Sequence, residues 1–399
     1  MNRRHFLAGA AAVSAIPAAS PDFSKLRSDF PRALNETYFN SAAQHPLGNH
    51  TIRGMQRYID FLAKGPGEGR EDFWETGFRQ VKPMFARLIN AKPSEIALCG
   101  STTIGENILL NGMDLRGRNV VTNDLHYSAS LSNYLQRRDQ GLDVRIVKHR
   151  DWRIDPKDME RAVDRKTKLI AISLVSSVNG HLENVKSLSD LAHSHGAFLF
   201  ADIIQGAGAI PIDVRAMGID LASCAMYKWL QGEHGFGFMY IREDLIGSKV
   251  KPTELTGHVE FNQPNRVPDG IAAFECGTPS VITYAAQHES FKYIERLGVS
   301  QIQAHAQRLI ARLRKELPAR DYTCITPAGA GTPLITFRSR DTEEVRRKIG
   351  RATASGKARI SITGPNSALT VGRFGDHLRF SVSVFNNDAD VSKVVEILS

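Results

Sequence analysis

Cysteine is scarce in this chain of 399 residues: Cys99, Cys224, Cys276 and Cys324 lie far apart, with no C-x-x-C pair and no histidine at metal-ligand spacing. That spacing argues against a zinc site and against a disulfide framework, and buried thiols are expected. The apolar run Ala8 to Ile16 is too short to span a bilayer, so no stable membrane anchoring is expected. The 51 basic residues exceed the 42 acidic ones and give a net charge of +9. They lack the clusters interleaved with aromatics that a nucleic-acid track needs, so no nucleic-acid partner is expected and the surplus reads as solubility with a mild bias toward anionic ligands. No internal repeat, low-complexity tract or long linker interrupts the chain.

What is present begins with Asn2-Arg3-Arg4-His5-Phe6-Leu7 ahead of an Ala-rich stretch. Paired arginines followed at once by Phe-Leu and a short apolar run read as a twin-arginine signal rather than a frayed amphipathic start. Residues 1–20 are therefore expected to engage the twin-arginine (Tat) export machinery and to place the protein in the periplasm or outside the cell. No clean A-x-A precedes Pro21, which leaves the cleavage point open.

Beyond that segment, short apolar runs alternate with helical patterns, the texture of an α/β fold with a mostly parallel sheet covered by helices. Strands are expected at Glu95–Cys99, Asn119–Thr122, Asp143–Val147, Leu169–Leu174, Phe198–Asp202, Leu221–Ala225 and Phe236–Ile241. Several are uniformly apolar, as doubly covered parallel strands should be. Helices are expected between them at Gly105–Asn111, Ser128–Arg138, Asp155–Val163 and Val185–His195. From about Tyr284 the texture changes to long helices, then short strands at Leu334–Phe337 and His377–Val384 and a terminal helix. The expected division is an N-terminal segment (21–45), a large domain (46–285) and a smaller C-terminal α+β domain (286–399).

The informative stretch runs from Phe198 to Asp244. One apolar strand delivers Asp202 at its C-terminal end, and a second delivers Tyr227-Lys228. Ligands of open α/β sheets bind at that edge. Singly, such a lysine is ordinarily a surface residue and such an aspartate a helix cap. Together they suit pyridoxal 5'-phosphate (PLP), which needs a lysine to hold its aldehyde and later act as base, and a carboxylate to keep the pyridine nitrogen protonated.

The segment resembles the PLP-dependent fold type I, class V aminotransferase family, which includes cysteine desulfurases, isopenicillin N epimerases and kynureninases. The resemblance rests on D-x-x-Q at Asp202 and Gln205, P-I-D at Pro211 to Asp213, the strand led by Asp220, and K-W-L from Lys228. It implies that Asp202 meets the pyridine nitrogen, Gln205 the ring hydroxyl, and that Lys228 carries the cofactor. Gly100-Ser101-Thr102-Thr103, between a strand and a helix, looks like the family's phosphate cup, with Thr102 and Thr103 as ligands. His126 matches the ring-stacking position, with Tyr127 as the fallback and a core histidine as the bland alternative. Phe274-Glu275-Cys276-Gly277-Thr278-Pro279 is similar to F-E-x-G-T-P, whose threonine reaches a neighbouring subunit's phosphate, so Thr278 implies a homodimer with shared sites. Arg379 matches the arginine that grips the substrate carboxylate, with a surface ion pair as its alternative. Tyr38 to Ala43 resembles the family's opening, and Gln44 and His45 would then face the substrate.

Three departures matter. The stretch Ile360 to His377 contains no cysteine, although desulfurases use one there as nucleophile. Tyr227 precedes the lysine where many members have histidine; a tyrosine there resembles kynureninase and donates to the phosphate. Ser177 stands where an asparagine is usual. The implied function is PLP chemistry at the Cα of a small amino-acid-like substrate, with aminotransferase, lyase and epimerase outcomes all open. The rivals are a cysteine desulfurase-like enzyme without the loop cysteine and a non-catalytic binding protein that keeps the fold.

Overall fold

The computed structural model describes residues 21–64, 79–253, 268–277, 280–363 and 376–399. The expected leader, 1–20, lies outside them.

Seven strands form the central sheet: β2 (Ile96–Cys99), β3 (Asn119–Asn123), β4 (Asp143–Val147), β5 (Thr167–Ser173), β6 (Phe198–Asp202), β7 (Leu221–Ala225) and β8 (Gly237–Ile241). Their spatial order is β2-β8-β7-β6-β5-β3-β4, and only β8 runs against its neighbours. The apolar runs of β5 and β6 supply both faces. Ile170, Ile172, Leu199 and Ala201 point into one core, and Leu169, Ala171 and Phe200 into the other, which is the period-two alternation of strands buried on both sides.

The register sets up the site. Ser173 on β5 lies opposite Asp202 on β6, which lies opposite Ser223 on β7. Three polar residues thus share one row near the carboxyl edge of the sheet.

A three-stranded antiparallel sheet, β9 (Tyr322–Cys324), β10 (Leu334–Ser339) and β12 (His377–Ser381), packs with helices on a third core that includes Leu309, Leu313, Phe337, Phe380 and Val391. The boundary expected at 285/286 falls inside the helix Val281–Leu297. That helix packs on Asn49–Lys64 and buries Tyr284, Phe291 and Ile294 in the first core. Gly298, at φ 74°, turns the chain from it into Val299–Glu316. The N-terminal segment ties the parts together. Its strand β1 (Thr37–Tyr38) pairs with β11 (Ile360–Ser361), Asn40 bridges Ser381, and the carbonyl of Ala42 accepts from the Gln205 amide. No described helix is long and apolar enough to cross a membrane.

The helix Thr102–Asn111 sits directly on β7 and β8 because residue 105 is glycine. A Cβ there would meet Ser223 Oγ and come within 2.8 Å of Met239 Cγ. Gly105→Ala should therefore lift the start of that helix off the sheet and lower the unfolding free energy by about 1–3 kcal/mol, read from denaturant titration. An unchanged midpoint would show that the close contact is not a constraint.

Candidate active site

Asp202 ends β6 and is buried; its Oδ1 accepts the Ile204 N–H at 3.0 Å. Burial raises its pKa to about 6, against the opposing pull of His126, the Ile204 amide and Lys228. A neighbouring strand end places Lys228 in the turn that follows β7, where the Gln231 N–H closes on the Lys228 carbonyl. Burial pulls the lysine down to about 8, while Asp202 works in the other direction. The Nζ atom stands 5.6 Å from the ring centres of both Tyr127 and Tyr227. An amine that is partly neutral near pH 7, facing a buried acid, is what attack on an aldehyde requires.

His126 is buried beside this pair. The Tyr127 backbone N–H, which can only donate, lies 2.9 Å from Nδ1, so Nδ1 is the bare nitrogen and Nε2 carries the proton. Ser173 Oγ is 2.8 Å from the same nitrogen. Tyr127 itself is half-buried against the Lys228 amine, so both rings expected near the cofactor lie at the site.

Ser101 caps the helix that starts at Thr102, accepting from the Ile104 N–H. The amides of Thr102 and Thr103 then have no acceptor within the helix, which is the arrangement that receives a phosphate. The Thr102 hydroxyl is also structural: it accepts the Ala225 N–H at 2.9 Å and ties the cup to the strand that carries Lys228. Tyr227 is half-buried and stacks on His234 at 3.9 Å, and burial raises its hydroxyl to about 12, so it stays a donor.

Gln205 is buried, with its oxygen accepting from Trp229 Nε1 and its amide donating to Ala42, both at 2.9 Å. It thereby clamps the N-terminal segment onto the lysine turn, a role that the expected ring-hydroxyl contact did not anticipate. The reading of His45 as a substrate-facing group is corrected. Its ring nitrogens are engaged by the Pro46 carbonyl and Ser383 Oγ, and it packs edge-on against Phe30 and Phe385, a core histidine that burial drives down to about 3. Gln44 is exposed. Thr278 lies outside the described residues.

Arg379, on β12, comes from the three-stranded sheet. Its Nη1 donates to the Ser177 carbonyl at 2.5 Å and its Nη2 to Thr363 Oγ1 at 2.9 Å, while the buried Nε has no partner among the described residues. Thr363 in turn donates to Asn40 at 2.5 Å. The surface ion pair is thus ruled out: this is a buried, braced guanidinium with a donor left over, suited to a carboxylate.

Two participants were missed in the sequence. Glu106, fully buried one turn into the helix, stands 3.5 Å from His126 Nε2. An acid between Gly105 and the apolar Ile108-Leu109-Leu110 was the available signal. Thr363, which braces Arg379, gave none.

The family model described as aminotransferase class-V matches residues 37–394, and the chain belongs to that family. A probable cysteine desulfurase of Methanothermobacter thermautotrophicus is 29% identical over 304 residues, 74% of this chain and 76% of that protein. An uncharacterized aminotransferase of Schizosaccharomyces pombe is 25% identical over 376 residues, 91% of each. Among solved structures, the apo cysteine desulfurase from Thermococcus onnurineus superposes with a TM-score of 0.78 at 21% identity, covering 94% of this chain and 96% of that one. The cystine C–S lyase C-DES, in complex with cysteine persulfide, gives 0.81 at 18% identity over 92% and 98%. The fold is that of PLP-dependent fold type I enzymes, and the protein is a PLP-dependent enzyme of class V. The buried Lys228 and Asp202, the free helix amides and the unpartnered Arg379 Nε fit that cofactor and an amino-acid carboxylate.

The low lysine pKa has a stability consequence. Below pH 8 the folded state holds a charged, buried Lys228 at a cost that the unfolded chain, with its lysine near 10.5, does not bear. Cofactor-free Lys228→Met should therefore be more stable than wild type at pH 7, by up to about 3 kcal/mol less whatever Asp202 loses with its counter-charge. The wild type should gain stability as pH rises from 8 toward 10.5, so the difference should shrink over that window in denaturant titrations. A difference independent of pH would show that Lys228 does not titrate low.

Proposed function

We propose that the protein removes the Cα proton of a small amino acid carrying a leaving group on Cβ, and acts as a lyase that forms no persulfide on its own chain. The observation that carries this reading is that Lys228 and Asp202 lie buried together at adjacent strand ends, with the buried Arg379 of the three-stranded sheet close enough to act on the lysine's charge. When bound, PLP supplies an aldehyde for the substrate amine and a ring that draws electrons from the Cα. Asp202, ionised at neutral pH, holds a proton on the ring nitrogen. Arg379 orients the carboxylate with its Nε. Lys228 Nζ, with roughly a tenth of its population neutral at pH 7, takes the Cα proton. Tyr127 and Tyr227 flank that amine and keep bulk water from it.

The missing cysteine between Ile360 and His377 favours lyase over desulfurase chemistry, since loss of a Cβ group needs only a base and an electron sink. The curated relative named as a probable cysteine desulfurase and the C–S lyase among the structures support a sulfur-bearing substrate. Transamination is the second reading; it uses the same residues and returns the proton to the cofactor.

Borohydride treatment of the loaded protein should bleach a band near ~420 nm and leave the pyridoxyl label on Lys228 in peptide mass mapping. Lys228→Ala should lose the band and at least about a thousandfold in turnover of Cβ-substituted amino acids. A label on another lysine would overturn the assignment. Keto-acid release without loss of the Cβ group would replace lyase by transaminase.

Two further parts of the reading concern where and in what state the enzyme works. The leader motif supports export of a folded protein that already carries its cofactor. Ile52, Ile59 and Leu62, on one face of Asn49–Lys64, and Ile104 beside the phosphate cup are between 41% and 63% exposed, which supports a second copy covering them. Protein recovered from the periplasm should elute as a dimer by light scattering and carry the visible band. A colourless product would reject loading before export, and a monomer would reject the shared-site dimer.

A further inference from the structure

Glu106 is the acid that the proposed chemistry leaves unused. Its carboxylate accepts from Ser130 Oγ at 2.6 Å and from the Tyr134 hydroxyl at 2.8 Å, both neutral donors. Among the described residues no lysine or arginine forms an ion pair with it, and the near cationic candidate is His126, 3.5 Å away. A fully buried carboxylate without a strong counter-charge is costly and persists where its neighbours hold it. Here burial pushes it toward the neutral form and is outweighed by the bonds from Ser130 and Tyr134 together with the nearby His126 ring, whose Nε2 is too far for a closed hydrogen bond.

The histidine between Glu106 and the reacting groups is fixed from both sides. The Tyr127 amide occupies Nδ1, so the Nε2 proton points to the carboxylate side of the ring. Ser173, also on Nδ1, lies in register with Asp202. The buried acid and the strand row that holds Asp202 therefore lie on opposite sides of the imidazole, Glu106 near Nε2 and Ser173 on Nδ1. These parts come from two helices and two strand ends, so their assembly belongs to the fold and not to one local motif.

We propose that Glu106 is a positioning residue acting through His126: it holds the ring in one plane and one tautomer, and its negative charge raises the proton affinity of the Lys228–Asp202 site. The inference rests on the reading of Lys228 as the cofactor's anchor and of His126 as the ring beside it. A charge buried at this depth is poorly screened and acts on neighbours beyond contact distance.

Two measurements test it. Nitrogen-15 histidine spectra of the cofactor-free protein, with the His126 signal assigned by its loss in His126→Gln, should show Nε2–H and a bare Nδ1 for the neutral ring. A proton on Nδ1 would overturn the inference whether or not the protein binds PLP. In the loaded protein, the pH midpoint at which the visible band titrates should fall by on the order of half a unit in Glu106→Gln. Glu106→Asp, which keeps the charge but not the fit, should stay nearer to wild type. Equal shifts in the two variants would assign Glu106 a packing role only, and an unchanged midpoint in Glu106→Gln would end the proposal. A protein that loads no cofactor would instead defeat the anchor reading and leave the nitrogen spectra to decide on Glu106.

Discussion

The site depends on one constraint: a lysine and an aspartate of opposite charge are held out of water at adjacent strand ends. Neither would be stable there alone. Burial drives Lys228 toward the amine and Asp202 toward the acid, and each opposes the other's loss of charge. The surrounding architecture serves that balance. Parallel strands deliver both residues to one edge, two apolar cores keep the dielectric low, and the Ile204 amide gives the carboxylate the hydrogen bond that lets it stay ionised. The three-stranded sheet contributes a third charge, Arg379, whose two terminal nitrogens each donate to a partner, the Ser177 carbonyl and Thr363, so it too survives burial.

The same balance explains why the departures from the family pattern are tolerated. With Ser177 in place of the usual asparagine, the backbone carbonyl at that position braces the arginine, a task that does not depend on side-chain identity. Gln205, whose amide joins Trp229 to Ala42, and Thr102, whose hydroxyl joins the start of its helix to β7, are contacts that hold the site closed. A residue at a cofactor site can thus be retained for what it fastens.

Most of the sheet was legible in the sequence. Leu221–Ala225 and Phe198–Asp202 were placed to the residue because a strand covered on both faces has no polar side to blur its ends. The helices Asn49–Lys64 and Arg79–Leu88 were not foreseen. Their polar faces carry many basic residues, and Pro83 interrupts the second. Asp202 and Lys228 could be expected at one sheet edge because each ends or closely follows an apolar strand. His45 was misplaced because an imidazole looks the same in sequence whether it faces a substrate or, as here, the Pro46 carbonyl and Ser383. Glu106 and Thr363 touch tertiary neighbours 16 or more residues away in the chain, and no local pattern announces such a partnership.

The N-terminal segment carries a consequence for biosynthesis. Asn40 bridges Ser381, the Tyr38 carbonyl accepts from Asn386, and β1 pairs with β11, so residues made first find partners made last. A nascent chain can fold its central sheet and close the clamp of Ala42, Gln205 and Trp229 over the lysine turn while still tethered to the ribosome, but the brace on Arg379 closes only after release. The interval before closure is one in which the lysine lacks its neighbouring arginine, a natural moment for a small molecule to enter. A maturation step that trimmed the chain well beyond residue 37 would remove the element that ends that interval.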